Sequence, residues 1–345
     1  MALQADAYAD LIATSQRSLG KMRWVDLSAD LQDYFVLPRL FKKDRVRFDE
    51  GTGTQWNILT EDNGSARQDG LYGTDVVDVN DAHVQAYVPW RHTTANYAFD
   101  EREMKMNRGA ARIVDLTKAK RHMALMSLAK HVERQFFNKP ATSADTTEVF
   151  GLPYWVVKNT NSTADFIGGD PSGFAAGAGG VASATYSRWQ NWAGGYTDIS
   201  KPDAIKKMRK ATAFTHFLSP IPSLPGYERQ GSGREILVNF NTLQTFEDLL
   251  EEQNENLGND LASKDGQCTF RKNSVVWVPY LNAQTDNPIF GINWKKFYAV
   301  FLADEYMNEG KPKDSPNHHR VKEVHIDMSW NVRCDDRSAL WVLSQ

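Results

Sequence analysis

Three histidines, His318, His319 and His325, fall close together in the sequence, and clustered imidazoles are the first thing a metal site requires. The pair at 318 and 319 lies in a Pro-Asn loop, however, while His325 belongs to a strand-like alternation, so the spacing favours a solvated loop over a shared ligand set. Adjacent carboxylates occur at Glu251-Glu252 and Asp335-Asp336. Neighbouring side chains diverge, whereas a general acid/base dyad needs two groups converging on one point. There is no GxSxG nucleophile elbow, since Gly169-Asp170-Pro171-Ser172-Gly173 has the wrong spacing. Gly177-Ala178-Gly179-Gly180 follows no convincing strand and opens no convincing helix, which argues against a dinucleotide loop, and no P-loop sequence for phosphates occurs. Cys268 and Cys334 are too few for a disulfide framework or a cysteine-held metal cluster. Accordingly no catalytic, cofactor-binding or metal-ligating residue is assigned, and no cofactor is expected.

The frame around these residues is that of an ordinary globular chain. Its 345 residues are 41% hydrophobic and 24% charged, enough for a sizeable core in about two domains. A formal charge of −3 gives no global drive toward phosphate backbones, so any contact with nucleic acid has to be local. The first residues carry acids where an export signal has a basic region, and no apolar run approaches the roughly 18 residues of a membrane span. A soluble chain made in a reducing cytoplasm is expected.

Periodicity then divides the chain. Tyr8, Leu11, Ile12 and Leu19 share a helical face, as do Leu27, Leu31, Tyr34 and Phe35 after a candidate cap at Ser28, and Pro38 is expected to close this arm. From Arg45 to Phe99 the period changes to two, around a turn-rich tip holding Asp62-Asn63-Gly64 and Asp69-Gly70, which predicts a long two-stranded excursion with little core of its own. Asp100-x-x-Glu103 opens a predicted helix running to about Phe137. Two apolar stripes mark it, Leu116, Ala119, Met123 and Met126 on one side and Leu125, Leu128, Val132 and Phe136 on the other, so it should touch two layers. Residues 159–187, rich in Gly, Ala, Ser and Thr, read as a mobile surface insertion. Ser200 is expected to cap a helix to Phe214 whose bases, Lys206, Lys207, Arg209 and Lys210, form mostly a solvated face. A strand at 236–240 and a helix at 241–257 suggest an α/β lobe, followed by strands at 275–278 and 297–302. Val324, Ile326, Met328, Trp330, Val332 and Cys334 alternate with polar residues as in a strand with one buried and one wet face.

The run VPWRHTTANYAFDEREMKMNRGAARIVDLTKAK, Val88 to Lys120, resembles the junction between extended loop and spine helix in tailed-bacteriophage major capsid proteins of the Hong Kong 97 type. GLPYWVV at 151–157 and YTDISKPDAIKKM at 196–208 add weaker echoes. The resemblance implies an α+β fold: an N-terminal arm over 1–43, an extended β-hairpin loop over 44–97, a peripheral domain with the spine helix over 98–196, an axial domain over 197–285, and a return to the peripheral sheet over 286–345. It implies a structural role without catalysis, in which copies self-assemble as pentamers and hexamers into the icosahedral head shell of a virion around packaged double-stranded DNA. The partners implied are a separate scaffolding protein during assembly in the host cytoplasm, a portal protein, a decoration or cement protein, and DNA held by non-specific contact, with no membrane. An encapsulin-like compartment shell is the alternative on the same fold. Some members of the family join neighbours through a lysine-to-asparagine isopeptide bond; the tip from Thr60 to Asp75 has no lysine, so no such crosslink is expected. Members that assemble without a separate scaffold usually carry a long fused N-terminal segment; with strands beginning by Arg45 no such segment is expected, and a separate scaffold is.

Overall fold

The computed structural model describes residues 34–60, 66, 68, 71, 83–106, 110–216, 233–254 and 268–345. The helices expected around Tyr8 and Leu27, most of the excursion's tip and the helix stop at Gly258 lie outside these residues.

A six-stranded sheet is built on β14 (Val321–Cys334). Along one edge β14 pairs in turn with β11 (Phe297–Leu302), β12 (Asn308–Glu309) and β13 (Lys313–Asp314), and along the other with β4 (Arg91–Asp100), from Val321 opposite Asp100 to Trp330 opposite Arg91. β1 (Val46–Asp49) lies parallel to β11 at the sheet's edge. The apolar alternation from Val324 to Cys334 is buried throughout, as its period predicts. The expected wet face holds only in part, because Ser329 and Asn331 are also buried. Asn331 is tolerated there because it is satisfied: its Oδ1 accepts from the Phe150 amide at 3.0 Å and its Nδ2 donates to the Pro89 carbonyl at 2.7 Å.

Against this sheet lies the long helical region, α2 (Glu101–Met106) and α3 (Ala110–Phe136), where the sequence predicted one helix from Asp100; residues 107–109 are outside the described set. Asp100 caps it by accepting from the Arg102 amide at 2.7 Å. Glu103 does not reach back as a capping box would, and pairs instead with Lys120 at 2.8 Å. Leu128, Val132 and Phe136 are buried, but Met123, on the opposite stripe, is 63% exposed. Met126 of that stripe is half-buried and accepts from the Tyr34 hydroxyl at 3.1 Å, so among the described residues the second of the two expected stripes is covered in part.

The second sheet has seven strands, in the order β5 (Asp165–Gly168), β6 (Asn191–Gly195), β15 (Trp341–Ser344), β10 (Ile289–Asn293), β7 (Arg234–Val238), β9 (Asn273–Trp277) and β8 (Thr269–Phe270). It draws strands from both sides of the expected 197–285 unit, so neither limit of that unit is a sheet boundary, and the 286–345 stretch serves both sheets. Two helices, α5 (Ala204–Phe214) and α6 (Phe240–Asn254), share a core cluster with it through Met208, Ala211 and Phe246 against Ile236, Val238 and Val275. Ser200 is not the cap of α5. The N-cap is Asp203, whose carboxylate accepts from the Thr197 and Asp198 amides and pairs with Lys207 at 2.6 Å.

Two further expectations change. Pro38 does not end the arm but sits inside the short helix α1 (Val36–Leu40), where a missing amide hydrogen costs little in the first turn. Residues 159–187 are largely irregular, as predicted, yet they are not a surface insertion: Ala164, Phe174, Ala178, Val181 and Ser183 are buried. Their small residues serve close approach. Gly173 and Gly177 have φ of +87° and +82°, and a Cβ there would run into the carbonyls of Ala141 and Val181.

Candidate functional site

The chemistry-bearing residues do not converge. Asp335 binds Arg333 at 2.6 Å, while Asp336 turns the other way to accept from the amide and hydroxyl of Ser338, so the adjacent pair acts as a local fastener. His318 and His319 are exposed in a loop, and His325 faces Glu323 at 3.8 Å from β14. Among the described residues, no group of three metal-ligating side chains comes together. Burial pushes both free thiols up, Cys334 most of all, away from the reactive thiolate form.

The most heavily engaged charge is one that sequence reasoning missed. Arg337 is fully buried and donates to the carbonyls of Trp155 at 2.8 Å, Gly169 at 2.8 Å, Trp189 at 3.0 Å and Gly168 at 3.3 Å, and to Asn191 Oδ1 at 3.3 Å. Desolvation pulls its pKa down to about 10, which leaves it a cation at neutral pH. Arg91 works likewise, donating to the Asp145 and Glu148 carbonyls under the Phe150 ring. Nothing in sequence distinguishes such arginines from solvated ones. These are structural fasteners with no open coordination toward a substrate.

What the molecule offers its surroundings is surface. β2 (Gly53–Leu59) and β3 (His83–Pro89) form a separate antiparallel ribbon, Gly53 opposite Pro89 and Leu59 opposite His83. Its inner face buries Thr54, Trp56, Ala86 and Val88; Trp56 packs on Trp155 at 6.1 Å with the Arg333 guanidinium 4.5 Å from its ring, and the Tyr87 amide donates to the Gly179 carbonyl at 2.9 Å. Its outer face, Gln55, Asn57, Gln85 and Tyr87, is exposed, and so is Leu59 at 67%. β1 and β4, at the two ends of the expected 44–97 excursion, belong instead to the six-stranded sheet. The arm enters across α3: the buried carboxylate of Glu133 accepts from the Phe35 amide at 3.1 Å and the Val36 amide at 2.9 Å, capping α1, and Arg39 pairs with Glu235 of β7 at 2.6 Å.

This arrangement of ribbon, long helix and two sheets is found in solved structures. The capsid of cyanophage A-1(L) superposes with a TM-score of 0.65 at 14% identity, over 96% of this chain and 98% of that one. The chain has a phage capsid fold. The capsid of Myoviridae phage XM1 gives 0.56 at 9% identity over 95% and 97%, and the encapsulin of the holo-SrpI complex from Synechococcus elongatus gives 0.50 at 8% identity over 100% and 96%. No protein-family model matches the sequence, nor does any curated protein.

Proposed function

We propose that this chain is a non-enzymatic shell subunit, a major capsid protein of a tailed phage, that self-assembles into an icosahedral head around double-stranded DNA. One observation carries this reading: the likeness to the cyanophage A-1(L) capsid runs through 96% of the chain and so takes in ribbon, helix and both sheets together. In Hong Kong 97-type terms, the ribbon is the stem of the extended loop and α3 the spine. The six-stranded sheet then belongs to the peripheral domain, and the seven-stranded sheet with α5 and α6 to the axial domain. Met123, Leu59 and the ribbon's outer face are surfaces that neighbouring copies in pentamers and hexamers would cover, since an isolated ribbon is marginal in water and heterologous contacts close into rings and shells. A separate scaffolding protein, a portal and a decoration protein complete the assembly in the host cytoplasm. DNA contact is local and non-specific, in keeping with the net charge of −3.

Negative-stain microscopy tests this reading directly. The chain expressed alone should give aberrant or polydisperse shells, and co-expression with the scaffolding protein should narrow them to one size. Uniform shells from the chain alone would remove the scaffold requirement, and a monomer under both conditions would remove the shell role. The likeness to an encapsulin supports a second reading, a compartment shell. The contents of purified particles separate the two, nucleic acid for a head and cargo protein for a compartment.

A further inference from the structure

A cleft of about 490 Å³, lined by Asn239, Phe240, Asn241, Trp277, Asn282 and Asn287, opens beside the start of α6. Its place in the fold is the usual one for ligands: β7 and β9 run parallel as neighbours, and the cleft lies beyond their carboxyl ends, between the segments that follow each strand. The volume is within the roughly 300–1,000 Å³ of small-ligand sites.

The lining is two aromatic rings and four amides, with no charged side chain. Phe240 is 49% exposed, although Leu243 and Phe246 of the same helix pack in the core, and its ring meets that of Trp277 edge-on at 5.6 Å. Three of the four amides are held in place by the protein. Asn282 Oδ1 accepts from the Phe240 amide at 2.9 Å and from Trp277 Nε1 at 3.2 Å. Asn239 Oδ1 caps α6 at the Thr242 amide at 2.9 Å, and its Nδ2 donates to Asn287 Oδ1 at 2.5 Å. Asn287 in turn donates to Gln345 Oε1 at 2.6 Å, and its carbonyl accepts from the Tyr196 hydroxyl at 2.6 Å. This leaves the Nδ2 donors of Asn282 and the whole amide of exposed Asn241 for a ligand.

The absence of charge excludes recognition of a phosphate or carboxylate through ion pairing. The held Nδ2 donor of Asn282 and the donor and acceptor of Asn241 lie side by side, which suits hydroxyl groups that are both. Exposed ring faces suit an apolar surface of C–H groups. A molecule with hydroxyls on its edge and C–H groups on its face is a sugar, and a rigid lining lowers the ordering cost of holding it. We propose that this cleft is a binding site for a neutral carbohydrate.

Saturation-transfer NMR on the full chain, with maltotriose, cellotriose, mannotriose and chitotriose as probes, tests the site. At least one should receive transfer to its ring protons. Phe240→Ala should weaken that binding about tenfold and Asn241→Ala several-fold, as truncated anchors do; both positions are exposed, so both variants should fold. Phe214→Ala, which removes an exposed ring of α5 outside the cleft, should change nothing. No transfer to any of the four sugars at about 10 mM, well above a weak-binding Kd, would overturn the proposal. So would transfer that survives both cleft variants, or displacement of the neutral sugars by an equal concentration of a heparin-derived disaccharide.

Discussion

The glycine-rich stretch 159–187 and the ribbon of β2 and β3 have similar turn-forming surroundings, yet they keep their shapes by different means. Beyond the short strand β5 the stretch has only single turn bonds of its own, such as the Gly177 amide on the Phe174 carbonyl, and is fastened from outside: Arg337 gathers the carbonyls of Gly168 and Gly169, and glycines let backbone meet backbone. The ribbon makes its own ladder and, among the described residues, is fastened through the buried side chains of Trp56, Ala86 and Val88 and one backbone bond from Tyr87 to Gly179. Low side-chain volume can therefore signal tight packing as readily as freedom; what decides is whether a buried donor or a neighbouring carbonyl is aimed at the segment.

Four perturbations would break or sharpen this contrast. The largest effect should come from Arg337→Ala, which leaves several buried carbonyls without donors; a loss of about 3–5 kcal/mol is expected from denaturant midpoints, and Arg337→Lys should recover only part of it because one ammonium cannot span the same fork. Gly177→Ala places a Cβ at positive φ against the Val181 carbonyl and should lose about 2–3 kcal/mol. A loss below about 0.5 kcal/mol would mean the stretch yields freely, contrary to its packing.

Trp56→Ala acts on the other partner of the comparison. It should lower global stability by only about 1–2 kcal/mol, because the ribbon root can open without the core. Amide exchange in 53–59 and 83–89 should quicken while that of β14 does not; equal acceleration in both would show that ribbon and core unfold together. The smallest effect is at a surface fastening, where Arg121 and the Tyr97 hydroxyl both bind the Glu309 carboxylate. Those two hydrogen bonds, the arginine's first, hold Glu309 below its usual range. A depressed carboxylate stabilises above its unfolded pKa and loses that contribution as pH falls through the folded value. Arg121→Ala should thus cost under about 1 kcal/mol at pH 7, and the difference from the parent chain should vanish in strong acid, as thermal scans against pH will show.

Where one face of an element is buried, the sequence is legible. β14 could be drawn from its alternation, and the covered stripe of α3 from Leu128, Val132 and Phe136. Polar residues of the interior were not legible. Ser329, Asn331 and Arg337 look like surface residues until their partners, far away along the chain, are known. The same distance hid the order of the second sheet, because β15 pairs with β6 and β10 across long sequence separations that no local pattern encodes. The candidate cleft was invisible for a related reason: its asparagines come from three separate stretches of the chain, each ordinary in itself.

That sheet order also bears on how the molecule reaches its native state. β15 fills a middle position between β6 and β10, so the sheet cannot close until a strand beginning at Trp341 finds partners translated long before it. Chain entropy must be surrendered before those contacts reward it, which makes for slow refolding and an extended interval in which β6 and β10 present unpaired edges. During that interval those edges are open to pairing with other molecules.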